Sequence, residues 1–222
     1  MREKVNTMDK IKQHWENPDT VSLKDNNLQE LERQYIVDIL KTIGKVDRLA
    51  DIGCGDATDT IHWRPYSREI FGYDYSQSML KKAKQISKGK IKLIPFDINK
   101  DNLDKQFDVV VAKRCLINLG SFVNQKKAIL KIHNSIEEDG YFIMLECCID
   151  GLDNLNFIRK MLNLEKINEP FHNKYFKMKK LIRLLDKLFY IEEKRYFSTY
   201  YFLTRVYNQM LDENRYREFD TA

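Results

Sequence analysis

Short apolar runs of strand length alternate with amphipathic helical stretches along most of this chain, and that alternation leaves few architectures open. Residues 48–52 read as a strand, followed by the turn Gly53-Cys54-Gly55-Asp56 and a helix beginning around Ala57. A second strand over 69–73 closes on Asp74, and Ser76 is placed to cap a helix running to about Ser87. Residues 90–95 and the β-branched run 107–112 give two more strands, and 125–138 a helix. Gly140 resets the chain ahead of a fifth strand over 141–148. Helices are expected over 154–164 and 177–188, then two aromatic-rich strands over 189–197 and 200–210, joined through Ser198-Thr199. Strands separated by helices pair in parallel, whereas the last two are too close for a crossover and must pair antiparallel. The expected fold class is α/β: a doubly wound, seven-stranded sheet, mostly parallel, with the last strand antiparallel.

Ahead of this sheet, Leu28, Leu31, Tyr35, Ile36, Ile39 and Leu40 fall on one helical face, and Gly44 ends that helix. Residues 1–45 therefore read as a helical cap on the domain formed by 46–215. The 222 residues, 43% hydrophobic with 8 Gly and 4 Pro, suit one compact domain and exclude disordered and collagen-like chains. Cys54, Cys115, Cys147 and Cys148 show no metal-ligand spacing, so no metal is expected and a reducing cytoplasm is the natural compartment. No run is long and apolar enough for a signal-peptide core or a membrane span. The net charge of +5 arises from scattered lysines, such as Lys81-Lys82, which read as solvated helix faces rather than a nucleic-acid footprint.

The chemistry concentrates where a doubly wound sheet binds its ligand, outside the carboxyl ends of its strands. Two glycines in Asp51-Ile52-Gly53-Cys54-Gly55-Asp56-Ala57 let the backbone turn sharply and approach a ligand. Asp74 stands 19 residues beyond Gly55, where a carboxylate can accept from both ribose hydroxyls, and Asp97 follows the third strand. A dinucleotide site needs a third glycine at the helix start, and here Asp56, Ala57 and Thr58 follow instead. The acids Asp51, Asp56 and Asp59 suit a cationic ligand better than a pyrophosphate.

With these motifs the chain resembles the class I S-adenosylmethionine-dependent methyltransferases. The resemblance runs from about Val46 to Met210: the acid-x-Gly-x-Gly turn, Asp74 followed by Tyr75-Ser76 and Met79, and Asp97-Ile98. It implies a Rossmann-like fold and S-adenosyl-L-methionine as cofactor. It further implies Gly53 and Gly55 at the methionine moiety, Asp74 at the ribose, Tyr75 and Met79 on the adenine face, and Asp97-Ile98 at the adenine edge. Asp51, Cys54, Ser76 and Lys113, in or beside the same turns, complete the implied cofactor set. Ala57 departs from the fuller glycine pattern of the family.

The acceptor is expected beyond the fourth strand, at Ala112-Lys113-Arg114-Cys115-Leu116-Ile117-Asn118-Leu119. This is neither the Asn/Asp-Pro-Pro-Tyr/Phe signature of many amino methyltransferases nor a Pro-Cys pair, and it offers no carboxylate for magnesium. Three catalytic candidates follow. Arg114 either clamps an anionic group or pairs with a nearby acid. His172, in the irregular stretch Pro170-Phe171-His172-Asn173-Lys174, is placed to take a proton from an acceptor hydroxyl, the alternative being a histidine bonded into its loop. Glu146, among apolar strand neighbours, must be paired or have a raised pKa. His14, His62 and His133, and the adjacent Cys147 and Cys148, read as structural. Segments 22–25, 114–119 and 172–175 are similar to small bacterial methyltransferases of surface-polysaccharide and sugar modification. That similarity implies a cap and a His172 loop closing over a small polar acceptor: a sugar, nucleotide-sugar or phosphorylated metabolite. The expected reaction is metal-independent methyl transfer to a hydroxyl, with an amine second. The rivals are an RNA methyltransferase and a non-catalytic cofactor-binding subunit that pairs through the aromatic segment 190–207.

Overall fold

The computed structural model describes residues 7–21 and 23–211. Two helices, α1 (Thr7–Glu16) and α2 (Asn26–Ile43), precede strand β1 (Val46–Ile52). The chain continues through α3 (Thr60–Trp63), β2 (Ser67–Asp74), α4 (Gln77–Ser87), β3 (Lys92–Pro95), β4 (Phe107–Lys113), α5 (Phe122–His133) and β5 (Ile136–Leu145). Helices α6 (Ile149–Met161) and α7 (Met178–Leu185) follow. The described chain ends in α8 (Ser198–Phe202), a wide π-turn over Leu203–Tyr207 and α9 (Asn208–Leu211).

The five strands form one all-parallel sheet in the order β3-β2-β1-β4-β5. Its strands are apolar on both faces because both faces are covered, as parallel sheets require. Ala50, Ile52, Phe71, Tyr73, Val110 and Ala112 point to one side, where they meet Ile129 and Ile132 of α5 and Leu181 and Leu184 of α7. Their neighbours Leu49, Ile70, Val109 and Val111 point to the other, against Ile36 and Leu40 of α2, Trp63 of α3 and Ala83 of α4. Helix starts follow side-chain capping: Asp25, Ser76 and Ser121 each accept from the backbone N–H three residues on.

The expected antiparallel strands over 189–197 and 200–210 do not form. The first segment has no regular structure, and the second is helical, so the sheet has five strands, not seven. Thr204 donates to the Tyr200 carbonyl, and Thr204, Val206 and Asn208 are buried, whereas Phe202 and Tyr207 are exposed. Tyr200 and Arg205 reach Asp25, and Tyr201 reaches Arg114, so polar partners on other elements override strand propensity. Strand β5 also begins earlier than expected, inside the stretch read as helix. There Gly140 passes so close to the neighbouring strand that a Cβ would lie 2.9 Å from the Asp108 carbonyl, beside the register shift between Phe107 and Val109. Among the described residues, no helix is long and apolar enough to cross a membrane.

Candidate active site

A cavity of about 290 Å3 opens at the carboxyl ends of the strands, where the strand order reverses between β1 and β4. Its floor is the turn after β1. Gly53 and Gly55 adopt φ of 77° and 54°. A Cβ on Gly53 would stand 2.6 Å from Cys115 Cβ, so the packed thiol dictates this glycine. Nothing lies within 4 Å of a Cβ on Gly55, whose bare backbone lines the cavity. Ala57, where the fuller family pattern has glycine, is buried and takes φ 64°.

At the end of β2, Asp74 accepts from Gly55 N–H at 2.9 Å and Ser76 N–H at 2.8 Å. One amide to each oxygen fixes the carboxylate and leaves lone pairs for a ligand's hydroxyls. Burial raises its pKa against the pull of those amides. Tyr75, Met79, Asp97 and Ile98 line the same end. Ser76 caps α4 rather than lining the cavity, and its hydroxyl donates to the Trp15 carbonyl at 2.9 Å. Helix α1 lies across this end: Lys12 pairs with Asp97 at 2.6 Å, and Glu16 accepts from Gln77 and Ser78 N–H at the start of α4. Asp51 and Cys54 line the floor; burial pushes Asp51 up to about 7 despite a hydrogen bond from the Thr60 hydroxyl.

The β4 end is built differently. Arg114, at φ 51°, turns its guanidinium onto Glu32 of α2, with Nε at 3.0 and 2.9 Å from the two carboxylate oxygens. Glu32 is 1% exposed and also takes Lys113 at 3.2 Å. Lys113 bonds Asp59 at 2.7 Å, and Asp59 is held by Arg33 at 2.9 Å. Burial opposes ionisation of Asp59, but Lys113 and Arg33 outweigh it and lower its pKa. Of the two roles open to Arg114, the structure has it paired with an acid. Lys113 lines the cavity with its ammonium held by two carboxylates.

Glu146 lies just beyond β5, outside the cavity lining, and its Oε1 accepts from Cys115 and Leu116 N–H at 2.9 and 2.6 Å. It therefore holds the turn that bears Arg114 and Cys115, while its buried Oε2 has no partner and burial pushes its pKa up to about 8. His172 also lies outside the lining. It stacks on His14 at 4.4 Å and meets the edge of Trp15, and burial, then His14, lowers its pKa to about 4. Residues 172–175 have no helix or strand, and Lys174 N–H donates to the Ile117 carbonyl, tying this loop to the turn after β4. Ser22, of the segment read with this loop, and residues 212–215 of the expected domain lie outside the described residues.

Sequence reading missed Glu32, Lys12 and Trp15, and it did not single out Asn118 within the stretch expected to meet the acceptor. Glu32 did carry a signal: it interrupts the buried stripe Leu28, Glu32, Ile36, Leu40 at i, i+4 spacing, and an acid there needs a buried cation. Asn118 carried none. Its Nδ2 donates to the Arg114 carbonyl at 2.9 Å, while its buried Oδ1 has no partner. Orphans of this kind cost about 1–3 kcal/mol, and Trp15 Nε1 and Tyr75 OH, also on cavity-lining residues, are two more.

A carboxylate with lone pairs left free, a bare backbone floor, and five aspartates against four cations fit a cationic ribonucleoside cofactor. Comparison with known proteins agrees. Residues 43–210 match the family model described as the methyltransferase domain. The N-methyltransferase NodS of Bradyrhizobium japonicum WM9, solved with S-adenosyl-L-homocysteine, has the same fold: TM-score 0.61 over 82% of this chain and 86% of that one, at 17% identity. The YcgJ protein of Bacillus subtilis gives a TM-score of 0.56 over 71% and 67%, at 15% identity. The carboxy-S-adenosyl-L-methionine synthase of Nautilia profundicola is 30% identical over 129 residues, 55% of this chain and 54% of that protein. The chain thus spans about half the length of this curated relative. Fold and site together define a class I S-adenosylmethionine-dependent methyltransferase. The chain belongs to the methyltransferase domain family.

Proposed function

We propose that this protein transfers a methyl group, without a metal, to the amine or hydroxyl of a small, uncharged polar acceptor. The observation that carries this reading is that three of the four cations in the cavity lining already meet carboxylates and the fourth a backbone carbonyl. Lys12 is on Asp97, Lys82 on the Pro18 carbonyl, Lys113 on Asp59 and Glu32, and Arg114 on Glu32. Only Lys82, held by a carbonyl, keeps a charge that no acid offsets, so a phosphorylated acceptor fits less well than a neutral one. Among the described residues, no three histidine, cysteine or carboxylate side chains are grouped to hold a metal.

S-Adenosylmethionine, when bound, supplies a methyl group already activated on a sulfonium. The chain's task is then to hold and align. Asp74 takes the ribose hydroxyls and Gly55 lets the cofactor lie against the backbone. Asp97, with Lys12 and the Tyr75 ring beside it, closes the adenine end. Trp15 and α1 exclude water. His172 lies outside the lining and, with a pKa near 4, is neutral at pH 7 and a weak base, so it serves to seat α1 through His14 and Trp15. With no histidine in the lining, an amine that sheds its proton to water before binding is a better acceptor than a hydroxyl. The fold relative NodS is itself an N-methyltransferase.

Calorimetric titration tests the cofactor reading. Micromolar S-adenosylmethionine binding is expected, with none to NAD, and Asp74→Ala is expected to weaken it at least about 30-fold by removing a charged hydrogen-bond acceptor. Intact binding in the variant overturns the assignment. A panel of amino sugars, neutral sugars and sugar phosphates then tests the acceptor, with preference for sugar phosphates overturning that part. Mass spectrometry of the nucleoside product separates methyl transfer from the carboxylated product in the Nautilia relative's name. RNA as acceptor requires binding that weakens steeply with salt.

A further inference from the structure

The proposed reading leaves one end of the cavity unassigned. Asp97 follows β3, Asp74 ends β2 and the Gly53-Gly55 turn follows β1, so the cofactor of that reading covers these three strand ends. The β4 end remains, lined by Arg114, Cys115 and Asn118. Arg114 is committed to Glu32, and Cys115 is a thiol whose pKa burial and nearby acids raise. The group there that still needs a partner is the buried Oδ1 of Asn118.

We propose, resting on the methyltransferase reading, that Asn118 Oδ1 receives the N–H or O–H of the methyl acceptor and holds its nucleophilic atom against the transferring methyl. The amide cannot present its other end. Its Nδ2 donates to the Arg114 carbonyl at 2.9 Å, and a flipped amide would set oxygen against oxygen. Asn118 therefore has only its oxygen left to offer, and a ligand that reaches it must bring a donor. Its position is stiff: Asn118 N–H donates to the Cys115 carbonyl, Glu146 pins the Cys115 and Leu116 amides, and Lys174 N–H holds the Ile117 carbonyl. A side chain fixed by this many backbone contacts is preorganised to orient a nucleophile.

The test needs no knowledge of the natural acceptor. Sinefungin carries an amine-bearing carbon in place of the methylated sulfur, so its amine stands where methyl and nucleophile meet; S-adenosylhomocysteine lacks that group. Asn118→Ala is expected to weaken sinefungin about tenfold while leaving S-adenosylhomocysteine within about twofold. Asn118→Asp, which keeps an oxygen there and adds charge, is expected to favour sinefungin relative to S-adenosylhomocysteine. Equal loss of both ligands in Asn118→Ala means that the side chain holds the amino-acid end or only the turn, and overturns the proposal, as does no change in either. Failure of the wild-type protein to bind either ligand overturns the cofactor reading itself, and this inference with it.

Discussion

The two ends of the cavity handle buried acid in opposite ways. At the β2 end, Asp74 is held by two backbone amides, which leave its charge unneutralised for a ligand. At the β4 end, Glu30, Glu32 and Asp59 meet Arg33, Lys113 and Arg114 in a chain of ion pairs that cancels itself. Charge is thus left available at the β2 end and taken up in fastening α2 at the β4 end. The sharpest test removes the centre of the network. Glu32→Ala strands the buried Arg114 and leaves Lys113 to Asp59 alone, and is expected to destabilise the fold by about 3–5 kcal/mol in urea unfolding. A loss below about 1 kcal/mol would mean that the two ends are fastened alike.

The paired glycines draw the same contrast within one turn. Gly53→Ala places a Cβ into Cys115 at a left-handed φ, and a loss of about 2–3 kcal/mol is expected from overpacking and strain together. Gly55→Ala meets no neighbour, so only the left-handed strain of about 1–2 kcal/mol is expected, but its methyl intrudes on the cavity and weakens the cofactor. Unfolding and calorimetry on both variants separate the packing glycine from the binding one. Equal effects of the two on stability and affinity would erase the distinction.

What could be read from the sequence follows from how local each signal is. The strands announce themselves through β-branched runs, and Ser76 and the Gly53-Gly55 turn obey rules spanning a few residues. The cavity-lining acids Asp74 and Asp97 follow from strand ends alone. The C-terminal segment misled because Tyr200, Tyr201 and Arg205 satisfy partners about 90 to 180 residues away, which no local pattern encodes. Arg114 and His172 were each read with a functional and a structural alternative. Glu32 and His14, which draw those two side chains toward structural contacts, lie far off in the sequence. Asn118 stayed invisible for a different reason: an orphaned oxygen exists only once its surroundings are built.

Glu146 extends the comparison to pH. Its Oε1 holds amides as Asp74 does, yet its pKa is pushed from the ordinary 4.5 up to about 8 by burial, which its amides and Arg114 do not overcome. A carboxyl whose pKa is higher folded than unfolded binds more protons in the folded state between those values, so its contribution to stability is full below about 4.5 and is lost as pH rises through 8. Asp51, raised to about 7, adds a fall of the same sign that ends lower. Glu146→Gln keeps an acceptor for the Cys115 and Leu116 amides without titrating. The difference in unfolding free energy between wild type and variant is expected to change by about 3 kcal/mol from pH 5 to pH 8. Parallel curves would show that the carboxyl is ionised throughout.

The smallest effect distinguishes the helices themselves. Helix α2 is fastened through Glu32, 1% exposed, to Arg114 at 15% and Lys113 at 8%, whereas α1 rests on the Lys12 pair with Asp97, whose side chains are 30% and 12% exposed, and on Glu16 at the start of α4. Partly exposed pairs contribute little, so Lys12→Ala is expected to change global stability by less than about 1 kcal/mol. Its effect belongs in local opening: α1 amides are expected to exchange with solvent faster than those of α2 in the wild type, and faster still in Lys12→Ala, with α2 unchanged. Bound S-adenosylhomocysteine, lying beneath α1, should slow α1 exchange without touching α2. If both helices exchange together in every state, the cap opens as one body, and the buried network at β4 rather than the Lys12 link controls access to the cofactor end.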